Sequence, residues 1–154
     1  MKKRSAMTEM KDQLHAIWYC IPMDTCRPYL PAEREFFDQG TGKVPLVVIF
    51  TKFEALVTQE WSKMGDILED EDAKWNRARV NAERTFQDHY LKPILNTKYP
   101  PKAFVVLDLM AQENAIFSHL IEKTAHAISI GSLRQLFTAT QMNSLNTNLH
   151  QRSP

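Results

Sequence analysis

The chain has 154 residues, 44% of them hydrophobic and 24% charged, a composition that suits one ordinary globular domain and excludes a disordered or fibrous chain. Nineteen Lys and Arg nearly cancel eighteen Asp and Glu, so no basic field marks a nucleic-acid surface. No segment approaches the ~18 consecutive apolar residues of a membrane span, and the cysteines, Cys20 and Cys26, form neither a disulfide framework nor a zinc pattern.

The N-terminus is basic (Lys2, Lys3, Arg4) with no apolar stretch directly after it, so no secretory signal is expected and the thiols are expected reduced, in the cytoplasm. Residues 4–12 favour helix. Residues 14–21 (LHAIWYCI) are apolar, aromatic and β-branched and predict a buried strand, with Cys20 as an inert buried thiol. Three prolines between Pro22 and Pro31 predict a loop, and Pro31 suits the first position of a short helix, PAEREFFDQ, that stops at Gly40. Residues 44–51 (VPLVVIFT) form the strongest strand, apolar on both faces as a central parallel strand is.

Residues 54–64 have helical spacing. Residues 66–92 predict one long amphipathic helix with Trp75, Val80, Phe86, Tyr90 and Leu91 on its apolar side, kinked or ended by Pro93 and broken by the Tyr-Pro-Pro at 99–101. Residues 103–109 (AFVVLDL) predict a third buried strand. Residues 113–128 predict a helix with Phe117, Leu120, Ile121, Thr124 and Ile128 along one face, and 132–149 a terminal helix capped by Ser132. Strands alternating with helices imply an α/β fold: a partial three-layer sandwich with a parallel sheet of about three strands and helices on both faces. In such sheets ligands sit beyond the carboxyl ends of the strands, so the end of the 44–51 strand is where a site is expected.

That strand ends in Thr51-Lys52-Phe53-Glu54. The string VPLVVIFTKFE resembles the guanine-specificity motif of P-loop GTPases, in which Asn or Thr, Lys, any residue and Asp follow one another. A carboxylate there accepts two hydrogen bonds from guanine, a lysine stem packs on the purine, and its ammonium ties down loop backbone. Glu54 replaces the usual Asp and extends the reach by about 1.5 Å, one C–C bond. Read without the resemblance, Glu54 simply opens a helix at its dipole-favoured end. The blocks LHAIWYCIP, PAEREFFD, AFVVLDL and LRQLFTATQMNSLN are similar to successive parts of fungal G-domain-containing proteins related to the small GTPases.

The resemblance implies that residues 1–154 are the C-terminal half of one incomplete G domain. Guanine would be bound by Thr51, Lys52 and Glu54 with help from Asp108 and Leu109. Where the family usually has Ser-Ala, this chain has Asp108-Leu109-Met110, which leaves only a backbone contact implied there. GTP or GDP is the expected ligand, weakly held.

The phosphate-binding half is missing. No G-x-x-x-x-G-K-[ST] occurs among only four glycines, and Gly40-Thr41-Gly42-Lys43 precedes a strand and is expected to be a turn. Magnesium has no ligand set, and hydrolysis by this chain alone is not expected. Without the strand that would lie beside it, 14–21 is expected to be an exposed apolar edge that pairs with a protein partner or with a second copy, unless the first half is encoded upstream. The alternative function is therefore a non-catalytic interaction domain. Of the other candidates, His119 and His126 share a helix face with no third metal ligand, and Glu69-Asp70-Glu71-Asp72 is expected to be a solvated helix start.

Overall fold

The computed structural model describes residues 14–24, 31–65, 70–108, 113–128 and the single position 137, with side-chain surroundings in the 113–128 segment given from Phe117 onward. The helices expected at 4–12 and 132–149, the loop at 25–30 with Cys26, and Glu69, Leu109 and Met110 lie outside the described residues, Phe137 excepted.

Three parallel strands make the sheet: β1 (Ile17–Pro22), β2 (Leu46–Thr51) and β3 (Ala103–Val106), in the order β1-β2-β3. Ile17 pairs with Leu46 and Pro22 with Thr51; Val47 pairs with Ala103 and Phe50 with Val106. Helices α1 (Pro31–Gln39), α2 (Phe53–Lys63), α3 (Glu71–Thr85) and α4 (Lys92–Leu95), with a π-helical turn at Phe86–Leu91 between the last two, cover one face; α5 (Glu113–Ala127) packs on the other.

β2 is central and buried on both faces, as its run of β-branched residues and Phe50 requires. Leu46, Val48 and Phe50 face the larger helix layer. There Phe50 meets the ring of Phe86 edge-on at 4.9 Å. Ile49 turns the other way, onto Val105 and Leu120.

β1 departs from the expected buried strand. Its burial alternates: Ile17, Tyr19 and Ile21 face the core, whereas Trp18, Cys20 and Pro22 are exposed. The physical reason is that α5 covers β2 and β3, reaching β1 through one bond, from the Trp18 indole N–H to the Thr124 hydroxyl at 3.0 Å. Cys20 is thus an exposed free thiol, not an inert buried one.

Among the described residues β1 is also an edge strand. The amides of Ile17 and Met23 donate to Pro45 and Thr51 of the neighbouring segment, both at 2.9 Å. The period of two then turns the backbone groups of Trp18 and Cys20 outward. Pro22 occupies the next outward position and offers no N–H there.

The expected 66–92 helix is also corrected. It starts later, at Glu71, because Asp70 caps it by accepting from the Ala73 amide at 3.3 Å. Its buried stripe is Lys74, Ala78, Ala82 and Phe86, while Val80, expected on the apolar side, is 60% exposed. Helical structure continues through Pro93 to Leu95. A proline ring clashes with the carbonyl four residues back and cannot donate to it; the wide turn before it, in which the Lys92 amide reaches the Gln87 carbonyl, accommodates both defects.

On α5, Leu120, Ile121, Thr124 and Ala125 are buried, as is Ile128 just past its end, but Phe117 is 45% exposed. The third strand ends at Val106 rather than at 109.

Gly40 to Lys43 forms the turn expected of it, at the amino end of β2 and far from the motif. Gly40 has φ +67, and a Cβ on it would lie 2.9 Å from the Tyr99 ring, so both backbone and packing require glycine. No helix among the described residues is long and apolar enough to cross a membrane.

Candidate site at the carboxyl ends of the strands

All three strands deliver a charged residue just past their carboxyl ends: Asp24 after β1, Lys52 and Glu54 after β2, and Asp108 after β3. Parallel pairing puts these at one end of the sheet.

β2 passes into α2 through Lys52 alone. Lys52 has φ 63 and ψ 43, left-handed backbone that a side-chain-bearing residue rarely adopts. The conformation lets one residue turn a buried strand into a helix. The Lys52 carbonyl accepts from the Ala55 amide at 3.1 Å and so closes the first helical turn without a side-chain cap.

The Lys52 ammonium bonds the carboxylate of Asp24. That hydrogen bond above all, with the charge behind it, holds the Asp24 carboxyl below the usual carboxylate range. The Gln59 amide also reaches the Asp24 carbonyl, at 3.5 Å. Lys52 thus ties Asp24, just past β1, to the end of β2.

Glu54 lies in the first turn of α2, where the helix dipole favours an anion. Its Oε2 is buried and has no hydrogen-bond partner among the described residues. A carboxylate oxygen in that position retains an unmet need for a donor, and each such group costs about 1–3 kcal/mol.

Thr51, the last residue of β2, uses its backbone carbonyl to hold Met23. Asp108 is joined to Arg79 of α3 by an ion pair, and the Arg79 guanidinium sits 5.5 Å from the centre of the Phe53 ring. The chain Phe53, Arg79, Asp108 therefore links the β3 end to the residue beside Glu54. Leu109 lies outside the described residues.

Sequence reasoning missed Asp24 and Arg79. Asp24 lies two residues past Pro22, outside any regular pattern, and Arg79 is one of several cations on a mixed-charge helix, so neither carries a local signal. Among the described residues, no cluster of three or more His, Cys, Asp or Glu could hold a metal ion.

Comparison with protein-family models, with curated proteins and with solved structures gives no match to this chain.

Proposed function

We propose that this chain is a base-recognition module of the GTPase type, with Lys52 and Glu54 as the guanine contacts, Thr51 and the Asp108–Leu109 loop in support, and no phosphate clamp or hydrolytic apparatus of its own. The observation that carries the reading is the buried Oε2 of Glu54, without a partner among the described residues, just past the end of the central parallel strand. An N–H-bearing base edge supplies the donor that this oxygen lacks. Lys52, fixed by Asp24, gives an aliphatic stem beside it for a purine to lie on. Magnesium has no part in the proposed binding, and affinity is expected to be low because phosphates, which provide much of the binding in intact G domains, find no cradle in the sequence.

The test is a titration of fluorescent GDP into the purified chain, with and without magnesium, competed by GTP and by ATP. Expected is guanine-selective, magnesium-independent binding that disappears in Glu54→Ala. Absence of binding at millimolar nucleotide by a folded sample would overturn it.

A second reading, a non-catalytic interaction domain acting through β1 in a partner or a second copy, is favoured by the outward backbone groups of Trp18 and Cys20 and the exposed side chains beside them. Sedimentation over a range of concentrations tests the self-pairing form: a Trp18-dependent dimer supports it, and a monomer throughout removes it.

A further inference from the structure

The charges at the carboxyl end of the sheet are already paired with one another. Lys52 bonds Asp24, and Arg79 bonds Asp108. Asp24 stays anionic at neutral pH, because the Lys52 hydrogen bond holds its carboxyl below the usual carboxylate range. A phosphate arriving there meets two neutral pairs instead of a free cation.

It also meets Glu54. A helix N-terminus is a ready phosphate site, but in the first turn of α2 the chain's own carboxylate already stands at that place. In the sequence, the stretches that continue from Asp24 and Asp108, residues 25–30 and 109–112, carry a single charge, Arg27. The carboxylates of Asp24, Glu54 and Asp108 thus balance the cations of Arg27, Lys52 and Arg79, and no positive charge is in excess. The glycine turn at Gly40 to Lys43 lies at the other end of β2.

Base recognition makes a different demand. A guanine edge offers N–H groups, and the buried Oε2 of Glu54, without a partner among the described residues, is an acceptor for one of them. That contact needs no phosphate, and a phosphate adds only negative charge that these residues do not neutralise. Resting on the base-recognition reading above, we propose that the ligand class of this site is a guanine nucleoside without phosphate, bound at least as tightly as its mono- and diphosphates. Affinity that stays flat or falls with phosphate number is the opposite of what a phosphate-clamping site gives.

The test titrates guanosine, GMP, GDP and adenosine, without magnesium, into the isotope-labelled full chain and follows its backbone amide resonances. Expected is saturable binding of guanosine, with GMP and GDP no more than about three-fold tighter and adenosine not saturating. Asp24→Asn, a surface change that leaves the Lys52 ammonium without its partner carboxylate, should raise the affinity for GDP relative to guanosine by about two-fold or more. GDP binding more than about three-fold tighter than guanosine to the unaltered chain would overturn this proposal and leave base recognition standing. So would an unchanged GDP-to-guanosine ratio in Asp24→Asn. No saturation by any guanine ligand, or equal binding of adenosine, would overturn base recognition and this proposal with it.

Discussion

Lys52 is the sole non-glycine residue with positive φ among the described positions, and its side chain is also the one that fastens β1 to β2 at the strand ends. Left-handed backbone costs an ordinary residue about 1–2 kcal/mol, and strain of this kind is retained where surrounding structure determines it. Substitutions separate the backbone term from the ion pair, because Lys52→Gly and Lys52→Val both delete the pair while only glycine relaxes the backbone. Urea unfolding should therefore show Lys52→Gly more stable than Lys52→Val by about 1–2 kcal/mol. Equal stabilities would show that the turn is not left-handed in solution. Thr51, Lys52 and Glu54 were legible as a unit because a strand-to-helix junction concentrates its chemistry in four consecutive residues. Asp24 and Arg79 were not legible, since each acquires its meaning from a partner 28 or 29 positions away.

At the level of elements, α3 shows where periodicity misleads. A pattern search favours large apolar residues, and Val80 attracts it although it lies on the exposed side, whereas Trp75 does pack against the core. The helix instead buries Lys74, Ala78 and Ala82, a stripe at intervals of four that lets it lie close against α2. Lys74 is accommodated because its ammonium bonds the Gly65 carbonyl at 2.6 Å and rests 4.0 Å from the centre of the Trp61 ring. Since Ala78 is fully buried between helix and core, Ala78→Leu should lower stability by about 1–3 kcal/mol through overpacking. Val80→Ala, on the exposed side, should change it by less than about 0.5 kcal/mol. Chemical denaturation of the two variants decides which face is inside; a larger loss from Val80→Ala would reverse the assignment. The strands were more legible than the helices because a central parallel strand must be apolar throughout, whereas the alternation of β1 depends on how far α5 extends, which no local segment encodes.

Across the whole molecule, the sheet is held between unequal layers. Four helices and a π-helical turn press on one face and α5 on the other, and α5 reaches the first strand through the Trp18–Thr124 hydrogen bond, spanning 106 positions of sequence. Thr124 is fully buried and its hydroxyl also donates to the Leu120 carbonyl at 2.8 Å. A double-mutant cycle with Trp18→Phe and Thr124→Val should give a coupling of about 0.5–1.5 kcal/mol in denaturant unfolding. Additive effects would mean that β1 and α5 are not joined there. The overall class, three parallel strands with helices on both faces, followed from the alternation of strand-like and helix-like stretches.

The two ends of a three-stranded parallel sheet are unlike, so copies that joined one end to the other would not close but would add without limit, as open filaments do. Pro22 acts against such growth. A strand arriving on β1 finds donors at Trp18 and Cys20 and then none, so it cannot slide toward the carboxyl end without forfeiting a bond at once. The ring confines any added strand to a short stretch in one alignment. The same proline thus works as a terminator, making an edge that is open among the described residues poor as a seed for ribbons.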